Sequence, residues 1–205
     1  DFYNAIHEFG HYNNTYRSAD TFMESSNNID VCESHSQGMQ MLFYDYYEEL
    51  LGDEVGPVYA YYDVSNMAGN AVQAALISEF EIEVYENPDM SLQELNELYL
   101  KLSKRYGMYY TSEIKELYNW CDVPHLFTSP CYYISYLTSA FSSLDLLTMA
   151  EEDRYGAVET YMTLTTIPGY IPYCSAVEYA GLRDIFEKGV AAEIMKETAE
   201  ILGVE

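Results

Sequence analysis

The residues best suited to chemistry stand near the start of the chain, in His7-Glu8-Phe9-Gly10-His11, the pattern H-E-x-x-H. Two imidazoles four residues apart on a helix are separated by about 40° around its axis, so both project to one side. That placement can deliver two nitrogens to one zinc ion at about 2.0–2.1 Å each. Glu8, one residue on from His7, points partly away, yet its carboxylate can reach a water beside the metal and act as general base. Only four His occur in the chain, and this motif holds two of them.

Catalytic zinc takes three protein ligands and leaves one position for water. The acidic candidates for the third ligand are Glu24, Asp30 and Glu33. Glu24 falls in a polar Ser/Asn/Asp-rich stretch, where a ligand would be poorly fixed. Asp30 has a ready alternative role as a helix N-cap. Glu33 lies inside an apolar-patterned helix, where a carboxylate is costly to bury unless a metal or partner neutralises it. Glu33 is therefore the favoured ligand. His35 reads either as a residue orienting a ligand or as a satisfied core histidine.

The elements that must carry these residues are helical. Apolar residues recur at helical spacing over Phe2–Tyr16, Val31–Leu51, Val55–Tyr85 and Leu92–Tyr106. Gly56-Pro57 opens the third of these, Asn87-Pro88 stops it, and Ser91 caps the fourth. Further helices are expected over Tyr109–Trp120, from Pro130 to Glu152, Tyr155–Thr165, Ala176–Ile185 and Lys188–Leu202, with Asp122–Ser129 irregular. No stretch alternates as a strand does. The expected fold is all-α, a single helical domain over residues 1–205.

Composition narrows the partners. The 34 acidic and 9 basic residues give a formal charge of −25, the wrong sign for phosphate contacts, so nucleic acid and anionic membrane surfaces are disfavoured. No run of 18 apolar residues appears, so no transmembrane helix is expected. Cys32, Cys121, Cys131 and Cys174 form no C-x-x-C pair. They read as reduced, mostly buried thiols of a cytoplasmic protein. The chain opens at Asp1, a few residues before its first candidate ligand, and so reads as the C-terminal part of something longer.

The motif set resembles the M3 family of zinc oligopeptidases, on its oligoendopeptidase F side. The resemblance is carried by His7-Glu8-Phe9-Gly10-His11, by Val31-Cys32-Glu33-Ser34-His35-Ser36-Gln37-Gly38-Met39, by Glu79-Phe80 through Asn87-Pro88, and by Pro124-His125-Leu126-Phe127 through Tyr136. After His11 this chain reads Tyr12-Asn13-Asn14, where many relatives have a small residue and another His. The resemblance implies a multi-helix zincin-like catalytic domain with one zinc ion, acting as an endopeptidase on short oligopeptides. It also implies that His125 and two helix-borne tyrosines, Tyr133 and Tyr136, donate hydrogen bonds to the substrate. A neutral phenol can stabilise a developing oxyanion, but the chain holds 23 Tyr, and such a pair also serves ordinary packing. Tyr132 is the neighbour most easily exchanged for Tyr133. Family members are much longer, and the helical part that completes their channel is absent. The alternative is a zinc-binding helical module without turnover, and the face left bare is expected to favour self-association.

Overall fold

The computed structural model describes residues 2–18, 29–108 and 119–204, and every regular element among them is helical. Ten α-helices follow in order: α1 Phe2–Arg17, α2 Ile29–Leu42, α3 Tyr47–Leu51, α4 Gly56–Glu86, α5 Leu92–Arg105, α6 His125–Thr128, α7 Ile134–Glu152, α8 Arg154–Leu164, α9 Tyr173–Ala180 and α10 Val190–Ile201. Single 3₁₀ turns occupy Tyr44–Tyr46 and Asn119–Asp122.

Local chemistry accounts for several boundaries. Ser91 and Glu94 form a reciprocal capping box at the head of α5, the Ser91 hydroxyl accepting from the Glu94 N–H and the Glu94 carboxylate from the Ser91 N–H. Asp153 caps α8 by accepting from the Gly156 N–H at 3.1 Å. Gly181 closes α9 in the left-handed region at φ 90°, its N–H returning to the Val177 carbonyl at 3.0 Å.

Several expectations need correction. The apolar period through Leu51 is interrupted: α2 stops at Leu42, and the 3₁₀ turn separates it from α3. Asp30 lies within the first turn of α2, which begins at Ile29, so it is not the N-cap. The stretch expected to be irregular contains the one-turn helix α6. Pro130 does not open a helix, because Cys131 adopts φ 62° and α7 starts only at Ile134. The four cysteines are free as expected, but exposed rather than buried. Glu24 and residues 109–118 of the helix expected over Tyr109–Trp120 lie outside the described residues.

Cα packing groups the chain into two compact units, Asp1–Gly69 with Thr138–Glu205, and Asn70–Leu137. In the first, Ile6 of α1, Tyr47 of α3 and Ala60 of α4 form a buried cluster that anchors α1. In α7, Ala140, Leu144, Leu146 and Leu147 are buried around much of the circumference, the pattern of a central helix. Its Asp145, also buried, is held by the Arg183 N–H at 2.8 Å and Nε at 2.7 Å, and Arg183 reaches on to Glu197. α2 is tied on several sides. Thr138 Oγ1 donates to the Asp30 carbonyl at 2.8 Å, Tyr161 Oη to the His35 carbonyl at 2.9 Å, and Arg154 to the Leu42 carbonyl at 2.6 Å. In the second unit Leu76, Ile77 and Phe80 of α4 pack with Tyr99, Leu102 and Val123, and Tyr133 lies against this cluster.

Asp63 of α4 is buried and accepts a 2.7 Å hydrogen bond from Tyr47. Burial raises its pKa above the ordinary carboxylate value, only partly offset by Tyr47. A raised folded-state value means that stability is greatest at low pH and declines as the buried carboxylate ionises. Asp63→Asn keeps an acceptor for Tyr47 without the charge. Thermal denaturation should therefore show the variant gaining on the wild type as the pH rises from 3.5 and keeping that gain to pH 8; no gain, or a loss, as the pH rises would contradict this assignment.

Candidate metal centre

Gly10 determines how closely α1 approaches α2. A Cβ built on it would fall 2.3 Å from the His35 carbonyl oxygen and 2.5 Å from the Ser36 Cα, both backbone atoms that cannot swing aside. The two helices touch backbone to backbone at this point. The histidines flanking Gly10 are thereby pressed against the turn of α2 that carries Glu33.

Among the described residues, His7, His11 and Glu33 form a group able to hold a metal ion. Glu33 Oε2 lies 3.4 Å from His7 Nε2 and 3.6 Å from His11 Nε2. Those spacings are long for hydrogen bonds, which favour 2.7–3.2 Å. They do match the edge of a tetrahedron around zinc: with bonds of about 2.0–2.1 Å, neighbouring ligands stand roughly 3.3–3.4 Å apart. Two imidazoles and one carboxylate also form the donor set of a catalytic zinc site. The rings of His7 and His11 stand 5.0 Å apart, nearly perpendicular, and are partly exposed, so solvent reaches the group.

Each donor is held by its surroundings. His7 Nδ1 makes a 3.0 Å hydrogen bond with Oε1 of Gln40, a fully buried residue of α2. Ser36, also buried, donates to Glu33 Oε2 at 3.0 Å. The Cys32 thiol, and then the neighbouring Glu33 carboxylate, raise the His11 pKa to about 10 against the effect of burial. The same partner, His11, is the main influence lowering Glu33 below the usual carboxylate value. The raised His11 and lowered Glu33 values favour an imidazolium beside a carboxylate, so a cation taken up here would compete with the His11 proton. His35 takes no part as an orienting residue. It is buried, its ring nitrogens make no hydrogen bond to the three donors, and burial lowers its pKa to about 4. Sequence reasoning missed Gln40, which lies 33 residues from the histidine it contacts; no local pattern marks such a pair.

Glu8 is exposed on α1. In the second unit, the His125 ring stacks on Tyr132 at 5.0 Å and meets Tyr133 and Tyr136 edge-on at 5.6 and 5.8 Å. Tyr133 and Tyr136 lie 5.2 Å apart. Tyr133 precedes α7 rather than riding on it, whereas Tyr136 stands in its first turn. Burial, then the neighbouring Tyr136, raise the Tyr133 pKa, so the phenol remains a proton-bearing donor. The turn before this cluster is fixed by buried Glu81, whose carboxylate accepts from the Cys131 N–H at 2.8 Å.

No protein-family model matches this chain, and no curated protein does. Solved structures do. A Bacillus anthracis str. Ames protein designated oligoendopeptidase F is 25% identical over 97% of this chain and 33% of its own, with a TM-score of 0.75. A second structure of that designation gives 25% identity, 97% and 35% coverage, and a TM-score of 0.81. PZ peptidase A, solved with an inhibitor, shares the fold at 22% identity, with 97% and 36% coverage and a TM-score of 0.84. The chain is a distant structural relative of these proteins and spans about a third of their length.

Gly10→Ala should force α1 away from α2. An overpacked contact of this kind costs about 1–3 kcal/mol, and the variant should also take up metal more weakly. Gly69→Ala, where an added Cβ meets nothing within 4 Å, is the control and should be neutral or slightly stabilising. Urea denaturation with parallel zinc titration checks both; equal behaviour of the two variants would refute the close-contact argument.

Proposed function

We propose that this chain is a zinc-binding helical module of oligoendopeptidase F type, with the ion held by His7, His11 and Glu33. The observation that carries this reading is the pair of Nε2–Oε2 separations, 3.4 and 3.6 Å, which suit ligands sharing a tetrahedral ion better than groups bonded to one another.

A second reading adds turnover: a zinc-dependent endopeptidase cleaving short oligopeptides. It is favoured by Glu8, an exposed carboxylate beside His7 for which a purely structural site has no use. Zinc, when bound, supplies a Lewis acid that polarises a carbonyl and acidifies water. Glu8 then accepts the proton of the attacking water and passes it to the leaving amine. The family resemblance would give His125, Tyr133 and Tyr136 the role of hydrogen-bond donors to the substrate in this reading. The whole of residues 1–205 would serve as one catalytic domain in this reading. It borrows the activity of proteins about three times as long, so the module is the better-supported conclusion.

Elemental analysis after zinc reconstitution and dialysis should find about one zinc per chain, lost in His7→Ala, His11→Ala and Glu33→Ala; retention by all three would end the proposal. A quenched-fluorescent short peptide separates the two readings. Cleavage that stops with chelator, and in Glu8→Gln with its zinc intact, establishes turnover. A zinc-loaded chain that leaves the peptide whole is the module.

A further inference from the structure

Gln40 contacts the proposed ion through no atom of its own, yet its placement bears on one of the ligands. It lies on α2 two turns beyond Glu33, fully buried, with Oε1 3.0 Å from His7 Nδ1. The opposite nitrogen of the same ring, Nε2, faces Glu33. An imidazole that gives its Nε2 lone pair to a metal carries its proton on Nδ1, and that N–H requires an acceptor. The Gln40 carbonyl oxygen stands where that acceptor must be. Being buried within α2, it cannot swing away as a surface side chain or water would.

The geometry points to Gln40 as a positioning residue that selects the Nδ1–H tautomer of His7 and aims its Nε2 at the ion. This rests on the zinc-binding reading above. An amide is a neutral acceptor, so it orients the ring without adding negative charge beside the His7–His11–Glu33 group. A carboxylate in its place would accept the same proton more strongly and make the ring a better donor. An aliphatic side chain of similar size would leave Nδ1–H without a partner and the ring free to turn.

The test compares zinc affinity, by competition with a chromophoric chelator, in the wild-type chain, Gln40→Leu and Gln40→Glu. Metal-free thermal midpoints and ¹⁵N-histidine NMR of zinc-loaded samples are recorded alongside. Gln40→Leu should bind zinc about ten- to a hundredfold more weakly, while Gln40→Glu binds at least as tightly as wild type. The His7 Nδ1–H signal should persist in wild type and Gln40→Glu. A packing role alone would move the thermal midpoints and leave the tautomer and affinity unchanged. Equal zinc affinity in wild type and Gln40→Leu overturns the positioning role and leaves the zinc site standing. Failure of the wild-type chain to bind zinc overturns both. Should Gln40→Leu not fold, Gln40→Glu decides: weakened binding or loss of the Nδ1–H signal overturns the proposal.

Discussion

Everything at the candidate metal centre depends on the absence of one methyl group. With hydrogen at Gly10, α1 lies directly on the backbone of α2 at His35 and Ser36. Two imidazoles then stand on one side of the contact and a carboxylate on the other. Helix axes ordinarily pack 8–10 Å apart, at a distance set by the side chains between them. Removing the side chain at the crossing brings ligands from separate elements close enough to share an ion. The rest of the first unit supports α2 in this position: Thr138, Tyr161 and Arg154 bind its backbone carbonyls, and the cluster around Tyr47 anchors α1 through Ile6.

The same principle operates in the second unit by other means. The aromatic group around His125 depends on an abrupt turn before α7, made by a non-glycine residue in the left-handed region. Such a conformation persists only where the surroundings impose it. Here the buried Glu81 carboxylate on α4 takes the Cys131 N–H, so a polar group inside the core fixes the turn in the loop. In both units, backbone placement by a distant element sets the position of the candidate site's side chains.

That division explains what could be read in advance. The i, i+4 pair His7 and His11 was legible because helical periodicity is local, and Glu33 because a carboxylate in an apolar helix calls for a partner. The all-helical character and the Ser91 cap were legible for the same local reason. The break after Leu42 was not, since apolar spacing continues through it while tertiary packing redirects the chain. The late start of α7 depends on Glu81, fifty residues away in sequence. Exposure of the cysteines reflects which helix faces are covered, a property of the assembled fold. Gln40 escaped notice because its polar side chain in an apolar helix carries no motif, only a partner on another helix.

The proposed site requires two imidazoles and one carboxylate to converge on a single ion. Zinc K-edge X-ray absorption on the reconstituted full chain tests it directly. The expected spectrum has a first shell of nitrogen and oxygen at about 2.0–2.2 Å, with the outer-shell scattering of two imidazole rings and no sulfur. A sulfur neighbour at about 2.3 Å would put Cys32 in the place given to Glu33, and scattering from one ring or none would show that the histidines do not converge; either result would overturn the proposed site.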